Sequence, residues 1–401
     1  MAAINASKTG SILMIFVALI FLWGFSAVWY FIGAIVGVLL FIPFSLRLKE
    51  KSTHEYYTLA DYFKYNYGRR VAKIASSITI IGMVGFLVLN LIAGTKLFVF
   101  FTGWQFWICA LIMLIIVLVY LLLAGYKAVV KTDVIQYAAI IFILIAMAFL
   151  MFKGSLIPVT EWNLFQADAK TIVGFFLVGI LFPFASPDLW QRVYSSRGRK
   201  ELKNGLLLSV VIYAVFAFLL ALIALTVKVQ FPNIDPDLAL IYGFQQMLPS
   251  GILGLAVVLL FAAIMSSLDT YLFTGASSIV QDFFHADKKT LIKMIRMTIF
   301  GLSIIALVLS IAIQSLIIGS YLFIAFMVVL AIAVLATWIK KNVKATTLFF
   351  EFVIGLLGLL VYLVFSLFQG EVNPLIVIVT LIFSLLGLGI GSLVGMNRVN
   401  D

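Results

Sequence analysis

Residues 251–284 read GILGLAVVLLFAAIMSSLDTYLFTGASSIVQDFF. The stretch is apolar and long enough to cross a bilayer, for which about 20 residues suffice. Its middle nevertheless carries Ser266, Ser267, Asp269 and Thr270, followed by Ser277 and Ser278. Numbered as a helix, Ala263, Ser266, Ser267 and Thr270 share one face, with Asp269 at its edge. Hydroxyls in such a helix can bond back to carbonyls one turn earlier. A carboxylate at membrane depth needs more: a partner, an ion or water. An oxygen-lined cation site satisfies both the hydroxyls and the acid.

Composition places this stretch in a polytopic helical membrane protein. Of 401 residues, 64% are hydrophobic and 11% charged, outside the range of soluble domains. One cysteine, Cys109, rules out an intrachain disulfide framework, and two histidines in polar loops give no metal-ligand cluster. There is no Gly-rich phosphate loop and no Ser/His/Asp set, so neither an enzyme nor a cofactor is expected. The net charge of +11 lies in short loops between apolar runs, which argues against nucleic acid as a partner and for a role in topology.

Twelve apolar runs are expected: Gly10–Trp23, Ser26–Leu46, Val71–Phe101, Trp104–Leu123, Val134–Phe152, Thr171–Phe184, Leu206–Val227, Gly251–Val280, Leu291–Ile313, Leu316–Ile339, Thr347–Phe368 and Pro374–Val394. Most of the 27 basic residues fall in alternate loops. By the positive-inside rule those loops, and the C-terminus with them, are cytoplasmic in a multi-pass plasma-membrane protein. Thr53–Tyr67, aromatic and amphipathic, reads as a helix lying at the cytoplasmic interface. The loops Ile157–Lys170 and Gln230–Asp237 read as solvated. Thr132, Asp133 and Gln136 are too polar for lipid; Asp133 reads either as a helix cap or as a partner of Asp269. Pro183 and Pro187, around ASPDLWQR, point to a broken helix, which in transporters frees backbone groups for an ion or substrate.

Three segments, AGYKAVVKTDVIQ (residues 124–136), SPDLWQRVYSS (186–196) and FAAIMSSLDTYLFTGASSIVQDFF (261–284), resemble the sodium:solute symporter family of sodium-coupled glucose, proline, pantothenate and sialic-acid carriers. The resemblance implies an all-α polytopic membrane protein of the inverted-repeat, five-plus-five leucine-transporter type. Residues 1–152 would form the first repeat, 171–339 the second, and 347–395 two additional C-terminal helices, all in one transporter domain. Members begin with a further helix and half of the next, so the first helix reads as incomplete and the chain as truncated at its N-terminus.

Carried over residue by residue, the resemblance puts a main sodium site at the Ala263 carbonyl, the Ser266 and Ser267 hydroxyls and the backbone carbonyls of Asn5 and Lys8, in unwound chain beside Ala263–Thr270. A second cation or proton site would use Asp133, Asp269 and Thr270 with Ser266. Phe182 matches an aromatic that closes the substrate cavity. The implied activity is cation-coupled, sodium-driven uptake of a small organic solute by alternating access, with Na+ as coupling ion, no other cofactor, and the lipid bilayer as surroundings. Lys8, an ammonium where a sodium-ligand segment is expected, keeps a sodium-independent or proton-coupled carrier open. A sensory membrane module is the rival from another class.

Overall fold

A computed structural model describes residues 10–51, 56–124, 157–284, 287–340, 342–369 and 372–397, with isolated positions between 141 and 149. Asn5, Lys8 and Asp133 lie outside the described residues, as do Thr132, Gln136 and most of the run Val134–Phe152.

Among the described residues the chain is helical, with no strand. In chain order the helices are α1 (Gly10–Trp23), α2 (Trp29–Lys51), α3 (Leu59–Tyr67), α4 (Arg69–Thr102), α5 (Phe106–Ala124), α6 (Ala169–Ala185), α7 (Pro187–Ser195), α8 (Arg199–Gln230), α9 (Ala239–Met247), α10 (Ser250–Phe283), α11 (Lys288–Ile313), α12 (Leu316–Ile339), α13 (Ala345–Gln369) and α14 (Leu375–Asn397). Among the described residues eight helical stretches are long and apolar enough to cross a membrane, nine when the bent pair α6–α7 is counted as one span. In lipid the backbone must satisfy its own hydrogen bonds, which is why apolar runs of this length become helices.

The helices outrun the apolar runs. At about 1.5 Å per residue, the 34 residues of α4 and of α10 are longer than a hydrocarbon core of about 30 Å. Arg69 and Arg70 at the start of α4 and Asp282 at the end of α10 carry each helix past the point where hydropathy falls. Conversely, Ser26 belongs to a 3-10 turn, Gly24–Val28, that separates α1 from α2. Gly24 there has a φ of 62°, a conformation open to glycine at little cost.

The helix expected to break around ASPDLWQR is broken there. Pro183 sits inside α6, and the break falls later, at Ser186 in extended backbone, with Pro187 opening α7. The two helices bend by 41°. Proline is pre-shaped for a helix's first turn, so Pro187 starts α7. The corner is held by Trp190, whose Nε1 donates to the Phe184 carbonyl at 2.9 Å.

Two packing seams organise the bundle. The first joins α2 to α6. At this crossing Gly33 faces the Phe176 carbonyl, Gly37 the Ile180 carbonyl and Gly179 the Tyr30 carbonyl, so closely that a β-carbon on any of them would run into backbone. Small residues let membrane helices approach to backbone contact. The second is the hairpin of α13 and α14, where Gly387 faces the backbone of Glu351 and Gly391 that of Thr347.

One loop expectation is refined and another is corrected. The stretch expected to be an interfacial helix over Thr53–Tyr67 is helical from Leu59, begun by a capping box between Thr58 and Asp61. It docks on protein: Leu59, Ala60 and Phe63 are buried, Phe63 meets Phe352 edge-on at 5.7 Å, and Tyr62 Oη donates to Thr337 at 2.9 Å. The Gln230–Asp237 loop is not solvated throughout. Asp237 is buried, pairs with Lys96 of α4 at 3.0 Å, and accepts the Leu316 N–H at the start of α12 at 2.9 Å. A buried carboxylate gains from a cation and a helix N-terminus together.

Candidate functional site

The polar face expected on residues 263–270 exists and is buried. Ala263, Ser266, Ser267, Asp269 and Thr270 are each at most 6% exposed, inside α10. Part of the bland account of the hydroxyls holds. Ser267 Oγ donates to the Ala263 carbonyl at 3.1 Å, and Thr270 Oγ1 to the Ser266 carbonyl at 2.9 Å. These back-bonds use the hydroxyl protons and leave the oxygen lone pairs facing outward. Thr270 Oγ1 also lies 3.3 Å from an Asp269 carboxylate oxygen.

One of those lone pairs is used across the molecule. The N–H of Gly10, at the start of α1, donates to Ser267 Oγ at 3.1 Å. The next amide, Ser11 N–H, donates to Asn90 Oδ1 of α4 at 2.8 Å, and Asn90 Nδ2 donates one turn back to the Phe86 carbonyl. The first amides of a helix have no intrahelical acceptor. Here two polar side chains, from α10 and α4, accept from them. The segment Asn5–Lys8 precedes this junction by a few residues.

Among the described residues no three His, Cys, Asp or Glu side chains converge on a metal site. What the junction offers a cation is neutral oxygen from hydroxyls and carbonyls, with Asp269 nearby. Such donors suit hard, weakly bound monovalent ions better than transition metals.

A cavity of about 60 Å³ opens directly beside this junction. Ser11 and Phe16 of α1, Tyr30 of α2, Phe86 of α4, Phe182 of α6 and Tyr321 of α12 all line it. Phe182 therefore lies on the cavity wall, edge-on to Phe86 at 5.7 Å. Phe86 is held from behind by Tyr271 of α10, stacked at 5.3 Å. Trp23 Nε1 donates to Tyr321 Oη at 3.2 Å, tying α1 to α12.

Asp282, at the far end of α10, was not anticipated as a functional residue. It accepts from Thr58 Oγ1 at 2.9 Å and Ser76 Oγ at 2.5 Å, so it bolts α3 and α4 to α10. Glu351 was missed as well. It is fully buried in α13, and neither oxygen makes a hydrogen bond of ordinary geometry, although the Ser384 hydroxyl of α14 faces it. The signal was present, a single acid inside TTLFFEFVIG.

A model of the sodium:solute symporter family matches residues 1–343. The chain is 23% identical over 337 residues to the osmoregulated proline transporter OpuE of Bacillus subtilis (strain 168), covering 76% of this chain and 68% of that protein. Among solved structures it superposes on a Na+-coupled sialic acid symporter in a substrate-bound, outward-open state with a TM-score of 0.77 at 16% identity, over 98% of this chain and 89% of that one. Mhp1, a nucleobase-cation-symport-1 family transporter in a closed conformation with bromovinylhydantoin bound, gives 0.63 at 11% identity, over 97% and 90%. At these identities the superpositions speak for the fold.

Proposed function

Because the chain belongs to the sodium:solute symporter family and has the inverted-repeat, leucine-transporter-type fold of its structural neighbours, we propose that it is a sodium-coupled secondary transporter of a small organic solute, working by alternating access in the cell membrane. The observation that carries this reading is the Gly10–Ser267 hydrogen bond. It joins the polar face of α10 to the start of α1, and the next residue, Ser11, lines the cavity. An ion bound at that junction neighbours a solute bound in the cavity, the arrangement that couples two ligands through shared conformation.

The main sodium ligands in this reading are the Ala263 carbonyl, the Ser266 and Ser267 hydroxyls, and the backbone carbonyls of Asn5 and Lys8. Asp269 and Thr270, with Asp133, form the second cation or proton site. Residues 1–152 and 171–339 are the two repeats, 347–395 the two further helices, and the basic loops with the C-terminus face the cytoplasm.

The test is radioactive sodium binding to the purified full chain, with choline and potassium as competitors. Saturable, sodium-selective binding that falls at least fivefold in Ser266→Ala and Ser267→Ala is expected. Binding that is absent, or unchanged in both variants, would sink the assignment. Solute accumulation driven by a proton gradient alone would point instead to proton coupling.

A further inference from the structure

We propose that the cavity beside α1 is built for an uncharged, ring-bearing solute with one or two hydrogen-bonding groups. This rests on reading that cavity as the solute site, and it adds the chemical class of the solute.

The walls are aromatic from several sides. Phe16, Phe86, Phe175 and Phe182 face the space, each at most 9% exposed, from α1, α4 and α6. Ile12, Ile15, Leu19, Leu89, Val178 and Ile324 fill in between them. Phe86 and Phe182 meet edge to face, a geometry that accepts a further ring by stacking or edge contact.

Charge is the deciding term. Among the described residues no Asp, Glu, Lys, Arg or His side chain lines the cavity. The other ordinary receptor for a carboxylate is the start of a helix. At α1 the first two described amides are already committed, Gly10 N–H to Ser267 and Ser11 N–H to Asn90. A carboxylate or ammonium entering such a space sheds its hydration and meets no charged side chain among the described lining residues, a loss of several kcal/mol on the order of a buried ion's effective penalty. A sugar fares little better, since each hydroxyl left unpaired forfeits about 1–3 kcal/mol.

The polar groups present are few and specific. Ser320 Oγ donates to the Ile317 carbonyl, leaving its lone pairs as acceptors. Tyr321 Oη accepts from Trp23, leaving its own proton as a donor. Ser11 and Tyr30 add hydroxyls to the lining. One donor and one or two acceptors on an aromatic or alicyclic ring match this inventory, and no described group on the wall matches a charge.

The experiment is a matched series on the purified full chain: indole, indole-3-acetate, tryptamine and L-tryptophan, one ring carrying no charge, a negative charge, a positive charge and both. Equilibrium binding is followed by calorimetry, with and without sodium. Indole is expected to bind at least tenfold tighter than each charged member, and Phe86→Leu is expected to weaken it at least fivefold. Leu19→Trp, which fills the cavity from α1, serves as a second variant and should abolish indole binding. A charged member that binds as tightly as indole overturns the proposal, as does no binding by any member or indole binding that survives Leu19→Trp. The sodium arm separates this from the broader reading: selective indole binding without any sodium-specific binding keeps the solute class and rejects sodium coupling. Sodium binding with no preference for the neutral ring does the reverse.

Discussion

The hydroxyl of Ser267 receives the backbone N–H of Gly10 at 3.1 Å across 257 positions of sequence. Removing that hydroxyl takes away more than an ion ligand, because it also leaves a buried N–H without its acceptor. Ser267→Ala is therefore expected to cost about 1–3 kcal/mol of stability in addition to weakening sodium. Ser266→Ala, whose side chain does not accept from Gly10, should weaken sodium with a smaller loss. Thermal unfolding of both variants with and without sodium checks the split.

Gly33 and Gly179 hold α2 and α6 at backbone contact. Gly179→Ala drives a β-carbon into the Tyr30 carbonyl, and either the helices separate or the variant fails to accumulate. A loss of about 1–3 kcal/mol is expected, the usual scale of overpacking. Gly254 and Gly301 stand in open space, so alanine there should be neutral or gain up to about 1 kcal/mol from helix propensity. Size-exclusion profiles after graded heating distinguish the two classes.

Asp282 holds two hydroxyls from two different helices. Asp282→Ala should release α3 from the end of α10, seen as faster hydrogen exchange and protease cleavage before Leu59. Thr58→Ala and Ser76→Ala should each give part of that effect, at about 0.5–1.5 kcal/mol apiece for a hydrogen bond lost at its donor. Equal exchange in Asp282→Ala and the unaltered protein would show that the bolt holds nothing.

Glu351 has no partner of ordinary geometry at either oxygen in a fully buried position. Glu351→Gln keeps the shape without a charge and should leave the unfolding temperature unchanged or raise it. Glu351→Ala, which leaves a void between α13 and α14, should lower it by the equivalent of about 2 kcal/mol or more, the scale of a core truncation. A strong loss in the glutamine variant would show that the carboxyl serves as an ion ligand.

Asp168 caps α6, accepting from Lys170 N–H, Thr171 N–H and Thr171 Oγ1. The Thr171 hydroxyl, followed by its amide, holds the carboxyl below the usual carboxylate range. A depressed acid contributes its stability above the unfolded-state value and loses it as pH falls through the lower, folded one. The start of α6 should thus stay capped at neutral pH and loosen only below the ordinary carboxylate range. Asp168→Ala should show the loosened state at every pH, at about 1 kcal/mol for a lost N-cap, whereas Asp168→Asn should retain most of the cap without the acid transition. Hydrogen exchange at Lys170–Ile172 across a pH series reports it.

Among the described residues hydropathy located the eight long spans, though it divided Gly10–Glu50 in two, because a lipid surround leaves a helix as the single option for an apolar run. The face Ala263–Thr270 was legible for the same reason: hydroxyls and an acid are costly among apolar neighbours and stand out. Its partners were not legible. Nothing local in Gly10 says that its N–H ends on Ser267, and Asn90 announces a polar need without naming Ser11. Glu351 is as conspicuous in its run as Asp269 in its own, yet the serines around Asp269 suggested a cation site and the phenylalanines around Glu351 suggested nothing. The α6–α7 break was legible as a region from its two prolines; its exact place was not, because Pro183 fits inside α6 whereas Pro187 needs no donor at the first turn of a new helix.

The glycine seam also limits how this protein can change shape. α2 comes from the first part of the chain and α6 from the second, yet three carbonyls are seated on three glycines with no slack between the backbones. A joint without play transmits torque. Sliding one helix along the other would lift each carbonyl out of its notch and onto a side chain, so the pair turns as a single lever. Opening the cavity then falls to side chains that can change rotamer, Phe182 of α6 and those of α1, α4 and α12 among them.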